Sequence, residues 1–316
     1  MTTETTVKTI RIGTRGSKLA LWQANAVADK LQTANLLTEI VIISTKGDQV
    51  LDKSLDKIGS KGVFTEELEV GLRDGSIDIA VHSAKDVQST IPDDLELVAF
   101  MEREQVHDVI LSFDPNFKLE RDSKVVIGTS STRRKALLKK FYPNVTTAES
   151  RGNLQTRLKK LEDKQFDALM LAYAGVFRME YDNLIVHAFP TDEFTPAAGQ
   201  GSVAVECAKD LDPELKQQIK AALDHPETHV CLLAERAFLR TMEGGCSIPS
   251  FALATLTATG QVSIRGGIVS LDGQQHLVEV FEAPQSEAEA IGVKLAETIL
   301  AQGGAQILKD IREQRS

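Results

Sequence analysis

Short runs of β-branched residues alternate with segments of helical periodicity over the first two-thirds of the chain. Val7 to Ile12 predicts a strand, and Ser17 to Leu31 carries apolar residues at a spacing near 3.6, with Ser17 as the N-cap. Units of this kind form sheets that are mostly parallel, because a helix carries the chain from one strand to the next. The alternation therefore predicts an α/β fold.

The alternation occurs in two series, which predicts two α/β lobes with mixed sheets. In the first series, strands at 39–44 and 77–81 flank a helix at 64–73 that ends before Gly75. The second series begins near Val106 and contains strands at 109–113, 124–127, near 145 and at 168–172, with helices from Thr132 and over 153–161. After a connection at 194–201, we expect the strand at 202–207 to rejoin the first sheet.

The pattern changes from Leu215 onward, where two helices precede a loop at 243–249, two or three alternating strands and a helix at 287–300. This order predicts a smaller C-terminal α+β domain. The predicted boundaries are residues 1–103 with 198–220 for domain 1, 104–197 for domain 2 and 221–316 for domain 3. A length of 316 residues fits two or three domains.

Charge and cysteine content narrow the class of protein. Lys and Arg number 36 against 45 Asp and Glu, and the formal net charge of -9 argues against a nucleic-acid partner. No apolar run approaches the roughly 18 residues that a membrane helix needs, and no signal peptide is recognisable. Three scattered cysteines, Cys207, Cys231 and Cys246, are typical of a reducing compartment. We expect a cytoplasmic protein that binds neither nucleic acid nor membranes.

Arginines and hydroxyl residues follow several predicted strands. Arg15, Arg133, Arg134 and Arg151 lie beside predicted helix N-termini, whose free N–H groups and partial positive charge favour carboxylates or phosphates. Each could instead be an ordinary solvated arginine. Their clustering in an acidic protein favours a positive cleft for a small molecule with many carboxylates. Nucleotides stay possible, although the sequence contains neither G-x-x-x-x-G-K-[ST] nor G-x-G-x-x-G.

Two further residues are candidates for chemistry. Asp86 follows an apolar strand beside Lys85, where a half-buried carboxylate could stabilise a cation or carry a proton; the alternative is a surface Asp that caps a turn. Cys246 lies in a Gly-Gly-Cys loop, which suits a nucleophile or an attachment point; the alternative is an incidental loop thiol. Cys207 and Cys231 continue apolar patterns, and we expect them to be core residues.

His225 and His229 lie near Cys231, which raises the question of a metal site. Pro226 fits the first turn of a helix with Asp224 as its N-cap, so the two histidines need not share a face with the cysteine. We predict no metal site.

A set of motifs runs through the whole chain in a fixed order. They are Thr14-Arg-Gly-Ser17 with Leu19-Ala-Leu-Trp-Gln23, Lys61-Gly-Val-Phe64 before Glu67-Leu-Glu69, Ala80-Val-His-Ser-Ala-Lys-Asp86, Gly128-Thr-Ser-Ser-Thr-Arg-Arg134, Arg151-Gly-Asn153 with Thr156-Arg157, Gly199-Gln-Gly201 and Glu243-Gly-Gly-Cys246. Together they resemble the motifs of the porphobilinogen deaminase family, also called the hydroxymethylbilane synthases.

The resemblance implies a three-domain transferase of tetrapyrrole biosynthesis, with two lobes that are similar in fold to periplasmic binding proteins. It implies that Cys246 carries, by a thioether, one dipyrromethane cofactor that the enzyme builds from its own substrate. Four porphobilinogen molecules are added in turn with loss of ammonia, and water then releases hydroxymethylbilane. By motif, Asp86 is the carboxylate that assists the loss of ammonia and stabilises the pyrrole cations.

The resemblance also assigns residues that hold the acetate and propionate groups of cofactor and substrate. These are Arg15, Ser17, Lys85, Ser131, Arg133, Arg134, Arg151, Arg157, Arg178 and Gln200. The segment from Lys61 to Phe64 resembles the mobile active-site loop of the family, and its glycine suits a hinge. Family members also lead us to expect a monomer.

Three positions depart from the usual pattern of the family. Gln88 stands where Pro is usual, Thr132 replaces a usual Leu, and Ser250-Phe251 replaces Ile-Gly or Leu-Gly. We expect these changes to affect the rate rather than the type of reaction. Two alternatives stay open: a non-enzymatic two-lobe protein that binds a small polycarboxylate, and an enzyme of phosphorylated sugars. Neither would require Cys246.

Overall fold

The structure is a computed structural model, which describes residues 9–45, 65–243 and 248–314. In this part of the chain the strands are β1 (Ile10–Thr14), β2 (Thr38–Ile42), β3 (Ile79–Ser83), β4 (Leu95–Phe100), β5 (Asp108–Leu111), β6 (Val126–Gly128), β7 (Thr146–Ala148), β8 (Ala168–Ala172), β9 (Ile185–Ala188), β10 (Val203–Ala208), β11 (Ser250–Leu256), β12 (Val262–Val269) and β13 (His276–Ala283).

The helices in the same residues are α1 (Lys18–Thr33), α2 (Glu66–Arg73), α3 (Thr132–Phe141), α4 (Leu154–Glu162), α5 (Tyr173–Arg178), α6 (Pro213–Leu223), α7 (Pro226–Thr241), α8 (Ala288–Ile299) and α9 (Ala305–Glu313). The chain divides into two compact units. Unit 1 contains residues 9–45, 65–102 and 202–229, and unit 2 contains residues 103–201, 230–243 and 248–314. The predicted three-domain boundaries stay a prediction.

Unit 1 is built on one five-stranded sheet in the order β2-β1-β3-β10-β4. β1 is parallel to β2 and β3, whereas β10 is antiparallel to β3 and β4. The prediction that the strand at 202–207 rejoins the first sheet is confirmed. Val203 pairs with Ser83, and this pairing extends β3 two residues beyond its predicted end, so that it includes His82 and Ser83.

Unit 2 contains a second five-stranded sheet with the same arrangement, in the order β7-β6-β8-β5-β9. β6 is parallel to β7 and β8, and β5 is antiparallel to β8 and β9. A separate antiparallel sheet, β11-β12-β13, follows in the C-terminal part of this unit. The predicted fold class, with two mixed α/β sheets and a smaller α+β domain, is confirmed.

Apolar side chains of the helices pack against the sheets and form the hydrophobic cores. In unit 1, Val27 and Leu31 of α1 are fully buried in one cluster with Ile12 and Val205 of the sheet. In the C-terminal part of unit 2, Phe238 of α7 and Leu295 of α8 pack against the small sheet. Burial of such side chains contributes about 1.5–3 kcal/mol each.

Phe251 of β11 joins the C-terminal part of unit 2 to the second sheet. Its side chain is 2% exposed and belongs to the same apolar cluster as Phe189, Phe194 and Val269. Gly267 gives it room, because a Cβ at that position would lie 2.8 Å from Phe251 Cε2. The residue that departs from the family pattern is thus a core residue.

Glu235 of α7 makes a second connection within unit 2. Its fully buried carboxylate accepts hydrogen bonds from Arg103 Nη1 at 2.5 Å and Arg103 Nη2 at 3.1 Å. It also accepts the N–H groups of Gly199 at 2.7 Å and Ala254 at 2.8 Å. One side chain therefore holds the segments around residues 103 and 199 against the C-terminal helix and sheet.

None of the helices in the described part of the chain has the length and apolar content needed to cross a lipid bilayer.

Candidate functional site

A pocket lies at the carboxyl ends of β1 and β3 in unit 1. These strands are parallel neighbours, with Ile12 opposite Ile79, so the residues that follow them meet at one edge of the sheet. The pocket has a volume of about 80 Å³ and opens to solvent. It is lined by Arg15, Ser17, Leu19, Ala20, Gln23, Thr65, Val81, His82, Ser83 and Asp86.

Arg15 and Ser17 reach the pocket from the loop between β1 and α1. Ser17 is the N-cap of α1, as predicted, and its Oγ accepts a hydrogen bond from the N–H of Ala20 at 3.3 Å. The N-terminus of this 16-residue helix carries a partial positive charge, which adds to that of Arg15. This wall of the pocket therefore favours an anion.

Asp86 supplies the opposite charge in the same pocket. It ends a single 3₁₀ turn, Ala84–Asp86, that directly follows β3. The N–H of Ala84 donates to Ser202 O at 3.0 Å, which fixes the start of the turn. The sequence allows a half-buried carboxylate here, but Asp86 is exposed at the end of this turn, where it lines the pocket. Lys85 lies beside it and is partly buried.

Two polar pairs involve Gln23, His82 and Ser83 of the pocket lining. Gln23 Nε2 donates to Ser83 Oγ at 2.9 Å, and Gln23 is buried. His82 Nε2 lies 3.1 Å from Glu206 Oε2, and both side chains are buried. His82 and Ser83 belong to the Ala80–Asp86 motif. Glu206 lies far away in the sequence, and only the pairing of β10 with β3 brings it beside His82.

In unit 2, Arg133 and Arg134 converge on the carboxylate of Asp108. Arg134 donates to Oδ1 from Nη2 at 2.7 Å and from Nε at 3.1 Å, and Arg133 donates to Oδ2 from Nη2 at 2.7 Å. Gln200 Nε2 adds a bond to Oδ1 at 3.0 Å. Burial alone would raise the pKa of Asp108, but the two guanidinium groups outweigh it and hold the pKa well below its usual range. Asp108 is therefore ionised.

The sequence predicts that these two arginines bind the carboxylates of a small molecule. In the structure both are buried, and the carboxylate that they bind belongs to the chain itself. Arg134 Nη1 also donates to Met170 O at 3.1 Å, and Arg133 Nη1 to Thr195 O at 2.9 Å. Arg133 Nε is buried and has no hydrogen-bond partner among the described residues. A role toward a ligand stays a prediction, with Arg133 Nε as the donor still available.

A second buried polar atom without a partner lies near the start of α3. Ser131 is the N-cap of this helix, and its Oγ accepts the N–H of Arg134 at 3.4 Å. Ser130 Oγ accepts the N–H of Ser150 at 3.0 Å, which joins the loops after β6 and β7. Ser150 Oγ itself is fully buried and makes no hydrogen bond within the described part of the chain.

The remaining predicted arginines of unit 2 are partly buried. Arg151 Nε donates to Glu149 Oε2 at 3.2 Å, and Arg157 Nε donates to Gly152 O at 2.8 Å, so both lie at the start of α4. Arg178 Nη2 donates to Gly201 O at 2.8 Å. Burial lowers the pKa of Arg178, and Glu104 opposes this effect.

Three predicted residues, Lys61, Phe64 and Cys246, lie outside the described residues. The other two cysteines, Cys207 and Cys231, are buried core residues, as predicted. Burial raises the pKa of Cys207 to about 12, which makes it a poor nucleophile at neutral pH.

The two histidines considered for a metal site make hydrogen bonds within the chain. His225 Nδ1 lies 2.9 Å from Thr228 Oγ1, and His229 Nδ1 lies 2.8 Å from Asp224 Oδ1. These contacts place both side chains at the first turn of α7, where they bridge the helix start to its own flanking residues.

Arginine, hydroxyl groups and a helix N-terminus at the carboxyl ends of parallel strands, with an exposed carboxylate in the same pocket, define a class of α/β protein. Such a protein binds a small anionic molecule and can stabilise a positive charge beside it.

Comparison with known proteins identifies the family within this class. Residues 10–217 match the family described as "Porphobilinogen deaminase, dipyromethane cofactor binding domain", and residues 229–301 match "Porphobilinogen deaminase, C-terminal domain". The chain is 53% identical over 306 residues to the porphobilinogen deaminase of Cytophaga hutchinsonii, covering 97% of this chain and 98% of that one. It is 51% identical over 308 residues to that of Desulfosudis oleivorans, covering 97% and 99%.

Two solved structures show a more distant similarity. The periplasmic VFT2 domain of BvgS from Bordetella pertussis has a TM-score of 0.42 and 18% identity, covering 68% of this chain and 86% of that one. The L-cystine solute receptor of Neisseria gonorrhoeae has a TM-score of 0.39 and 16% identity, covering 69% and 86%.

The chain belongs to the porphobilinogen deaminase family. It is accordingly a transferase of tetrapyrrole biosynthesis, which polymerises porphobilinogen to hydroxymethylbilane on a dipyrromethane cofactor. The expectation drawn from the sequence motifs is confirmed at this level. The non-enzymatic binding protein is not favoured, because the relatives that match nearly the full length are enzymes.

The described residues fit such a cofactor. Dipyrromethane carries acetate and propionate side chains, which need cationic and hydrogen-bonding partners. Arg133 Nε and Ser150 Oγ are buried polar atoms without partners in the described part of unit 2, and a native protein rarely leaves such atoms unpaired. A carboxylate-rich group would satisfy donors of this kind.

Proposed function

We propose that Asp86 is the catalytic carboxylate of this chain and that Arg15 and Ser17 bind a carboxylate of porphobilinogen beside it. The observation that supports this assignment is that the three residues line one pocket in unit 1. The pocket thus places a cation and a helix N-terminus for the substrate carboxylate and an anion for the reacting end.

The chemistry of the substrate explains why both charges are needed. When ammonia leaves the aminomethyl group of porphobilinogen, the electron pair of the C–N bond departs with nitrogen and the pyrrole becomes cationic. A fixed carboxylate lowers the energy of this developing positive charge. Asp86 can also carry the proton that is later lost from the joined ring.

Further residues would hold the cofactor and the growing chain. We assign carboxylate binding to Arg151, Arg157 and Arg178, and to Arg133 through Nε, which has no hydrogen-bond partner among the described residues. Arg134 and Gln200 support this group by fixing Asp108. Lys85 and Ser131 assist as hydrogen-bond donors. When bound, the dipyrromethane supplies the terminal pyrrole to which the substrate units are joined.

Cys246 is our candidate for the attachment of the cofactor. Cys207 and Cys231 are buried, and the raised pKa of Cys207 disfavours the thiolate. Cys246 belongs to the Glu243-Gly-Gly-Cys246 motif, which precedes β11 in the sequence, and it matches the cofactor cysteine of the family motif. The segment from Lys61 to Phe64 remains the candidate for the active-site loop.

Asp86→Asn tests the catalytic assignment. We expect a fall in kcat of about 10²–10³, because the substitution removes charge where the cation develops. Asp93→Asn, an exposed aspartate of the same unit, is the matched control and should keep the wild-type rate. Circular dichroism and intact mass establish that each variant is folded and loaded. Wild-type turnover in folded Asp86→Asn would refute the assignment.

Intact mass spectrometry of the denatured protein tests the attachment residue. We expect an excess over the sequence mass equal to two linked pyrrole units in the wild type and in Cys207→Ser, and no excess in Cys246→Ser. An excess that persists in Cys246→Ser would place the thioether elsewhere. A wild type without excess should gain it on incubation with porphobilinogen or hydroxymethylbilane.

We also propose that the chain acts as a monomer in the cytoplasm. The odd number and scattered spacing of the three cysteines support a reducing compartment. Sedimentation velocity of the loaded enzyme tests the oligomeric state, and a single species near 34.5 kDa plus the cofactor is expected.

A further inference from the structure

We propose that Gln88 is a positioning residue, which holds the turn that carries Asp86 against the buried start of α2. The inference rests on the proposed role of Asp86. Gln88 stands two residues after Asp86, at one of the positions where the sequence departs from the family pattern. Its side chain makes contacts that no proline could make.

The contacts reach across about 20 residues of the chain. Gln88 Nε2 donates to Thr65 Oγ1 at 3.2 Å and to Glu69 Oε1 at 3.0 Å. Thr65 Oγ1 donates to the same Glu69 Oε1 at 2.8 Å. The three side chains therefore form one hydrogen-bonded group between the turn after β3 and the first turn of α2.

The centre of this group is a buried charge. Glu69 is 6% exposed and Thr65 is 2% exposed, and Arg73 Nη2 lies 3.6 Å from Glu69 Oε2. A buried carboxylate needs hydrogen-bond donors, and loss of one leaves it partly unsatisfied. The Gln88 amide is neutral, so it donates to Glu69 without adding a second cation beside Arg73. The requirement of the Glu69 carboxylate for a hydrogen-bond donor therefore fixes the position of the Gln88 side chain.

The same group forms part of the pocket. Thr65 lines the pocket together with Asp86 and Arg15. Val87, between Asp86 and Gln88, is buried, and on the other side of Asp86 the N–H of Ala84 donates to Ser202 O at 3.0 Å, so the segment is anchored both before and after the exposed Asp86. Gln88 thus sets the distance between the carboxylate and the wall where the substrate lies. A displacement of about 1 Å at such a site can cost about 10²-fold in rate.

Gln88→Met tests the proposal, because methionine has a similar length and no donor. We expect kcat to fall about tenfold, which is typical of losing a hydrogen bond to a charged group, and KM for porphobilinogen to stay within about twofold. Gln165→Met, at an exposed position of unit 2, should leave both constants unchanged. If Gln88→Met does not fold, Gln88→Asn, whose amide is one methylene too short, should show the same loss.

Combining the change with Asp86→Asn separates positioning from general structure. If Gln88 acts through Asp86, adding Gln88→Met should slow the residual rate of Asp86→Asn by less than about twofold. A full tenfold loss in both backgrounds, or wild-type kcat in Gln88→Met alone, would overturn the proposal. Wild-type turnover in Asp86→Asn would instead refute the proposed function itself.

Discussion

Glu235→Gln should destabilise the protein by about 4 kcal/mol, because one partner of a buried ion pair is neutralised. The carboxylate now receives two donors of Arg103 and the N–H groups of Gly199 and Ala254. An amide in its place presents an NH₂ group toward at least one pair of these donors. The guanidinium of Arg103, whose side chain is 12% exposed, also loses its counter-charge.

Glu193→Gln is the matched control for this prediction. Like Glu235, Glu193 pairs with one arginine, and Arg121 Nη2 lies 2.6 Å from each of its carboxylate oxygens. The difference is exposure, because the side chain of Arg121 is 54% exposed and that of Glu193 is 29% exposed. A surface pair of this kind contributes about 1 kcal/mol or less. The substitution is therefore the same in both variants, and the sites differ in the burial of the pair and in the two backbone N–H groups that Glu235 accepts.

Thermal and urea unfolding of the loaded enzyme measure the difference. For 316 residues the unfolding entropy is about 0.66 kcal/mol/K, so a loss of about 4 kcal/mol lowers Tm by about 6 °C. Glu193→Gln should lower Tm by no more than about 1.5 °C on the same scale. Equal, small shifts for both variants would show that the buried network contributes no more than a surface pair, and would refute the reasoning.

Two further predictions concern unit 2. Burial and the nearby Lys140 lower the pKa of His276 to about 4, so the unfolded chain takes up a proton first as pH falls from about 6.5 toward 4. Over this pH range, protonation of His276 in the unfolded chain should lower the free energy of unfolding by about 2 kcal/mol. Urea unfolding should therefore show that His276→Phe loses less stability than the wild type as the pH falls, and identical pH profiles would contradict this. Gly267→Ala should cost about 3 kcal/mol or more, because its Cβ would overlap Leu277 O and Phe251, whereas Gly75→Ala, at φ 72° in open space, should cost about 1 kcal/mol; similar Tm values for the two variants would refute the packing argument.

Local signals in the sequence predicted much of the fold. The N-cap at Ser17 and the stop at Gly75 are visible because each depends on one residue and its immediate neighbours. β4 and β9 were not predicted, since short strands become stable only when distant strands pair with them. α9 was also not predicted, because Gly303 and Gly304 indicate a helix end, while the chain turns through Gly303 at φ 117° and continues as a helix.

The candidate site also contains residues that local sequence signals indicate and residues that only the fold brings together. Arg15, Ser17 and Asp86 each follow a predicted strand, and in the structure they line one pocket. Asp108 carries no such signal, because an Asp at the start of a strand is indistinguishable in sequence from a surface residue. Only the antiparallel pairing of β5 with β8 brings it into the interior beside Arg134. Buried partners of charged residues therefore have to be found in the fold.

The position of β10 has a consequence for how the protein is made. β10 lies between β3 and β4, and its Val203 pairs with Ser83, roughly 120 residues earlier in the chain. During synthesis, β3 and β4 emerge long before the strand that joins them, so the first sheet has two unpaired edges until residue 208 has left the ribosome. A fragment that ends near residue 102, where the chain leaves unit 1, would keep those unpaired edges and should aggregate. Addition of a separate peptide of residues 202–229 should restore its solubility.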